Sequence, residues 1–189
     1  MNMKKLYIFD MGGVVSTDGN VLARISDYLN ISGEEFISLA AESEVELSEG
    51  RITVQEFWRR FSRVSGREIK EELFGKFFDP RLNKGTAAII ENLKKESRVV
   101  CGTNTIDPHY LKRVERGDYQ LFDYVYASHI MGIAKPKAAF FKYILRKEQI
   151  EAREAAFIDD DPENVESAAE LGLVALLFRD ADTLKKEIG

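Results

Sequence analysis

Asp10, Thr103, Lys135 and the run Asp159-Asp160-Asp161 each stand at the end of a short apolar stretch, or a short loop beyond one. The types suit phosphate chemistry. Two nearby carboxylates fit a hard divalent cation, and Mg²⁺ typically takes one or two of them together with substrate phosphate oxygens. A hydroxyl and an ammonium fit a phosphate. A carboxylate can also attack as a nucleophile and become phosphorylated.

Elements must bring these residues together. The runs 6–9, 98–101, 124–127, 155–158 and 173–178 are apolar without alternation, as strands buried on both faces would be. Helical patterns lie between them: Ile89, Ile90 and Leu93 share one face, and Phe140, Phe141, Ile144 and Leu145 share another. Asp107-Pro108 and Asp161-Pro162 read as N-caps followed by proline at the first helical position. From about residue 80, helix and strand alternate, which predicts an α/β fold, a doubly wound parallel sheet with right-handed crossovers. In such a sheet ligands bind at the carboxyl ends of the strands, where the polar clusters fall.

Residues 16–80 interrupt the alternation and hold no convincing strand. Ser32-Gly33-Glu34-Glu35 and Thr53-Val54-Gln55-Glu56 have capping-box spacing, and Val54, Phe57, Trp58, Phe61 and Val64 form one apolar stripe. The expectation is a small inserted all-helical cap over 16–80, with 1–15 and 81–189 forming the α/β core. Glu42, Glu44, Glu46 and Glu49 read as a solvated acidic face.

Composition bounds the function. The 189 residues amount to about 1.3 domains at ~150 each. With 44% hydrophobic and 31% charged residues the chain can bury a core. A net charge of −5 argues against a nucleic-acid or membrane-surface partner. The single cysteine, Cys101, excludes an internal disulfide and a multi-cysteine zinc site, and reads as a buried strand residue. No apolar run approaches the ~20 residues that span a bilayer, and the run 6–9 is too short for a signal peptide. A soluble, cytoplasmic monomer or small homo-oligomer is expected.

Four segments together resemble the haloacid dehalogenase-like hydrolases. They are Phe9-Asp10-Met11-Gly12-Gly13-Val14-Val15, Gly102-Thr103-Asn104-Thr105, Gly132-Ile133-Ala134-Lys135-Pro136 and Phe157-Ile158-Asp159-Asp160-Asp161-Pro162-Glu163-Asn164. Asp10, Thr103, Lys135 and Asp160 are spaced by 93, 32 and 25 residues, and the four occur in the family's order. Glu49-Gly50-Arg51-Ile52-Thr53 followed by Phe57 resembles the C1 cap of the sugar-phosphatase and epoxide-hydrolase N-terminal branch. The resemblance implies a core sheet in the order 3-2-1-4-5, with strands one and four adjacent and Asp10 beside Asp160. It implies that Asp10 is the nucleophile and that Mg²⁺ is held by Asp10, Asp160 and the backbone carbonyl of Gly12, with Asp159 in support. It also implies that Thr103, Asn104 and Lys135 bind the phosphate of a small phosphorylated metabolite, such as a sugar phosphate.

The family's phosphatases usually carry a second aspartate two residues after the nucleophile, as general acid, although the Gly-Gly-Val-Val variant also occurs in branches regarded as phosphatases. Here that position is Gly12. Such an acid is worth ~10²–10⁴ in rate, so the sequence is compatible with a slow enzyme or with a substrate that has a good leaving group. Asp18 is a candidate substitute acid. Two other readings stay open. One is a catalytically weak binding or regulatory protein that kept the fold. The other is dehalogenase-type hydrolysis, against which the pair Asp159-Asp160 argues. Asp161 reads as a helix cap, Trp58 as cap core, and His109 and His129 as structural or exposed.

Overall fold

The computed structural model describes residues 3–17 and 19–189, so Asp18, the candidate substitute acid, lies outside the described residues. Among the described residues the strands are β1 (Leu6–Phe9), β2 (Ser16–Thr17), β3 (Arg81–Leu82), β4 (Arg98–Thr103), β5 (Tyr124–Ala127), β6 (Ala155–Asp159) and β7 (Val174–Leu177). The helices are α1 (Leu22–Leu29), α2 (Gly33–Ser48), α3 (Val54–Ser65), α4 (Leu73–Phe77), α5 (Lys84–Leu93), α6 (Asp107–Arg116), α7 (Ser128–Met131), α8 (Ala138–Glu148), α9 (Pro162–Glu170) and α10 (Ala181–Ile188). No helix among them is long and apolar enough to cross a membrane.

The main sheet runs β5-β4-β1-β6-β7, and every pairing in it is parallel. Counting only these five strands, that is the order 3-2-1-4-5. Successive side chains of a strand point to opposite faces, and β1 divides its residues accordingly. Tyr7 and Phe9 join Ile90 and Leu93 of α5 and Leu184 of α10 on one face. Leu6 and Ile8 join Phe140, Phe141 and Ile144 of α8 and Ala168 of α9 on the other. With both faces covered, β1 reads as a continuous apolar run because all four residues are buried. Its register pairs Phe9 with Ile158, and the Asp10 N–H donates to the Ile158 carbonyl at 2.9 Å. Asp10 and Asp159 therefore leave the sheet side by side.

Helices α1 to α4 bury a separate apolar cluster that includes Ile25, Phe36, Ala40, Leu47, Phe57, Trp58 and Phe61. Both N-caps form: the Ser32 side chain accepts from Glu35 N, and the Thr53 side chain accepts from Glu56 N. Val54, Phe57, Trp58 and Phe61 are buried as expected, whereas Val64, the last residue of that stripe, is 57% exposed.

Three local expectations are corrected. Residues 16–80 do contain a strand, because β2 pairs antiparallel with β3 where the chain leaves and re-enters the core. A two-residue strand has no periodicity to detect. Asp107 is not an N-cap but the first helical residue after Ile106, and its side chain makes no cap bond. Asp161 does cap α9, accepting from Glu163 N. Finally, Glu49 is not part of a solvated face. It is buried, pairs with Lys137 and with Arg51 at 2.9 Å, and accepts from Ala134 N at 3.3 Å. The cap is thereby fastened to the loop that carries Lys135.

The next residue explains how close that contact is. Gly50 has φ +65°, and a Cβ there would lie 2.1 Å from the His129 carbonyl oxygen. Gly66, at φ +68°, has nothing within 4 Å of the same position. Gly66→Ala should cost about 1 kcal/mol, the price of a left-handed non-glycine residue. Gly50→Ala should cost roughly 1–3 kcal/mol more, because the cap loop must move off α7. Urea unfolding of the two variants checks this, and equal losses would contradict the close contact.

Candidate active site

Lys135 stands at the centre of the site. Its Nζ donates to Asp10 Oδ1 and to Asp159 Oδ2, each at 2.6 Å, and all three residues are buried. Asn104 sets the lysine's main chain: Lys135 N donates to Asn104 Oδ1 at 2.9 Å, and Asn104 Nδ2 donates to the Lys135 carbonyl at 3.0 Å. Expected among the phosphate binders, Asn104 has its carboxamide committed to positioning the lysine. Asp159 is held from the other side by Asp161 N at 2.9 Å and by Asn164 Nδ2 at 3.2 Å. It is consequently a partner of Lys135 first.

Asp160 comes to the same place through the backbone of the β1 loop. Gly13 has φ +77°, and a Cβ on it would fall 1.9 Å from Asp160 Oδ2, so only glycine fits. Gly12 is different. Among the described residues a Cβ there would meet only Asp10 Oδ2, at 3.9 Å, so none of them imposes a glycine at this position.

Carboxylate oxygens of Asp10, Asp159 and Asp160 all lie within 4.8 Å of one another. Among the described residues, three carboxylates against one ammonium leave the cluster at −2 when all are ionised. Its donors are hard oxygens, and it has no sulfur or imidazole ligand. The residues present thus fit a divalent cation such as Mg²⁺. The electrostatics register the crowding. Burial pushes the Asp10 carboxyl from 3.8 up to about 6, with Lys135 pulling against it and Asp159 adding to it. Burial also raises Asp160, with the Asp159 charge contributing. Burial disfavours the Lys135 charge, but Asp10 and Asp159 outweigh it and hold the ammonium above its usual range.

A cavity of about 490 Å³ with several polar lining groups opens beside Asp160, lined by Gly12, Thr103, Asn104, Arg113 and Asp160 among others. Thr103 is buried at the end of β4. The site residues read from the sequence therefore converge. Asp161 remains a cap, Cys101 is a buried strand residue, and Trp58 sits in the cap core. His109 stacks on Phe78 at 3.9 Å, and burial lowers its pKa to about 4. His129 is also lowered by burial, with Asp107 at 3.9 Å opposing that shift.

Sequence reasoning missed two buried polar anchors. Arg113 of α6 donates to Ser16 Oγ at 2.7 Å, lies 5.0 Å from the Phe78 ring centroid and approaches Asp118 at 3.6 Å. It pins the ribbon, the cap and the core at one point. Ser128 accepts from Thr105 N at 3.0 Å and donates to the Ser48 carbonyl at 2.6 Å, joining motif two to the cap. Neither has a spacing signal, because the partners that tie it across the fold, Ser16 and Phe78 for Arg113 and Thr105 and Ser48 for Ser128, are distant in sequence.

Comparison with known proteins places this geometry. The chain is 29% identical over 113 residues to a drimenol cyclase of Aspergillus calidoustus, covering 57% of this chain but only 21% of that protein. It is 26% identical over 198 residues to a sesquiterpene phosphatase of Aspergillus oryzae, covering 94% of this chain and 91% of the relative. A crystal structure of a family enzyme from Bacteroides thetaiotaomicron, in complex with magnesium and inorganic phosphate, superposes with a TM-score of 0.77. The two are 22% identical, and the match covers 94% of this chain and 95% of that one. The family model of the haloacid dehalogenase-like hydrolases matches residues 4–172. With the five-stranded order, the four motifs converging on Lys135 and a match over nearly the whole length, this chain belongs to the haloacid dehalogenase-like hydrolases.

Proposed function

We propose that the protein is a Mg²⁺-dependent phosphatase that hydrolyses a small phosphorylated metabolite through an aspartyl-phosphate on Asp10. The observation that carries this reading is Lys135 bridging Asp10 and Asp159 while Asp160 stands beside them, a cluster of net charge −2 among the described residues with a cavity beside Asp160. Asp10, Asp160 and the Gly12 carbonyl would hold the cation, which when bound offsets the charge of the carboxylates and the phosphate. The sesquiterpene phosphatase and the magnesium–phosphate complex among the similar proteins are consistent with it.

The protein's own groups divide the work. Lys135 holds Asp10 Oδ1, which leaves Oδ2 on the Gly12 side as the attacking atom. Its attack on phosphorus forms the Asp10 O–P bond and breaks the bond to the leaving alkoxide. A water then attacks the same phosphorus, freeing Asp10 and releasing phosphate. Thr103 and Lys135 bind phosphate oxygens throughout, and the catalysis is chiefly positioning and electrostatics. Asn104, Asn164 and Asp159 keep Lys135 in place. With glycine at position 12 the alkoxide takes its proton from solvent.

Gly12 also supports a second reading, a catalytically weak binding or regulatory protein. That reading expects Mg²⁺ or phosphate to bind with no turnover on a broad phosphate panel.

Purified protein should hydrolyse phenyl phosphate only with Mg²⁺. Asp10→Asn should lower turnover by roughly 10⁴-fold. Activity that survives a chelator would count against the proposal. Since the attacking species is the Asp10 anion and burial raises this carboxyl to about 6, kcat/KM should fall as pH drops through about 6 at low Mg²⁺. Saturating Mg²⁺ favours the anion, so it should move that acid limb to lower pH. A limb that ignores Mg²⁺ would place the titrating group elsewhere. A Cβ at position 12 meets no steric block among the described residues, so Gly12→Asp should raise kcat on alkyl phosphates by about tenfold or more, toward the ~10²–10⁴ of general acid catalysis. On nitrophenyl phosphate the gain should be small, and a uniform effect across leaving groups would refute the missing-acid account.

A further inference from the structure

A second cavity, of about 610 Å³, lies between cap and core. That volume falls within the ~300–1,000 Å³ of ordinary ligand pockets. On its core side it reaches Lys135 and shares Asn104, Thr105 and His109 with the smaller cavity beside Asp160. Its cap side is a wall of Ile25, Phe36, Ala40, Leu47, Phe57 and Phe74. Ile37 and Val45, 51% and 49% exposed, extend this apolar surface.

The polar groups on the wall are largely occupied by the protein itself. Asn20 Oδ1 accepts from Leu22 N at 2.9 Å, and Ser48 Oγ donates to the Val45 carbonyl at 3.1 Å. Asn104 is committed to Lys135. Among the described residues His109 Nε2 is buried without a hydrogen-bond partner, and Glu44 is exposed. A sugar would bury several hydroxyls against carbon here and lose their hydrogen bonds to water. A hydrocarbon would lose none.

We propose that the leaving alcohol is apolar: the substrate is a phosphate monoester of a hydrocarbon-like alcohol, its phosphate over Asp10 and its carbon skeleton in the cavity under the cap. This rests on the phosphatase reading and specifies its substrate class. It names a different alcohol from the sugar of the sugar phosphate that the family resemblance implies. The core supplies the chemistry in one chamber, and the cap supplies selectivity in the next.

The test is a series of para-alkylphenyl phosphates from methyl to hexyl, assayed with Mg²⁺. Leaving-group acidity is nearly constant along it, so kcat/KM reports burial of the chain. Each methylene should raise kcat/KM about fourfold until the cavity is full. Ile37→Asp should flatten this slope. The ratio of hexyl to methyl within one variant is self-normalising, so a partly folded preparation does not disturb it. A flat or falling series with phenyl phosphate still hydrolysed would overturn the apolar substrate while leaving the phosphatase intact. A slope unchanged in Ile37→Asp would place the chain outside this cavity and overturn it equally. No hydrolysis of any member, phenyl phosphate included, would strike the phosphatase reading itself.

Discussion

One buried ammonium between two buried carboxylates sets the terms for the rest of this structure. Asp10 and Asp159 leave adjacent parallel strands at the same level, where two like charges would repel strongly in a low-dielectric setting. The Lys135 Nζ, 2.6 Å from each, makes that arrangement tenable. A buried ion pair is stable only when its remaining polar atoms are also satisfied. The surroundings meet that demand: Asn104 fixes the lysine's backbone, Asn164 and the Asp161 N–H hold Asp159, and Gly13 lets Asp160 approach. What remains among the described residues is a surplus of two negative charges, which suits one divalent cation and, through it, an anionic substrate.

The cap is tied to this cluster through the lysine's own loop. Glu49 leaves the end of α2 and binds Lys137 and Ala134 N on either side of Lys135. Gly50 lies against the His129 carbonyl, and the Ser48 carbonyl takes the Ser128 hydroxyl. On the opposite side Arg113 gathers the β2 ribbon, Phe78 and Asp118. The cap's contacts therefore reach the same loop whose Lys135 holds Asp10. The two cavities follow the same division, a smaller one with polar groups from strand ends and an apolar one built on helix faces.

Much of this was legible in the sequence because it is encoded locally. Runs such as 6–9 and 155–158 announce buried parallel strands by lacking alternation, and the caps at Ser32, Thr53 and Asp161 are read within four residues. Asp10, Thr103, Lys135 and Asp160 were identifiable because strand ends are where an α/β sheet places its chemistry. What escaped was what the tertiary fold alone determines. Glu49 heads a recognisable cap segment, yet its burial against Lys137 is set only by the fold. Arg113 sits among charged neighbours on α6 and gives no hint that it is 4% exposed. The two-residue strands β2 and β3 form only because the cap's ends must meet. The apolar wall was visible as hydrophobic stripes, yet a stripe does not reveal which of its residues face a cavity and which face each other.

The central claim is that Asp10, poised by Lys135, accepts the phosphoryl group. Acid quenching during steady turnover, followed by mass spectrometry of the peptide spanning Asp10, tests it most directly. The account predicts a Mg²⁺-dependent gain of one phosphoryl mass on Asp10, removed by hydroxylamine as an acyl phosphate should be. Turnover with no label on that peptide, or with the label on another residue, would contradict it.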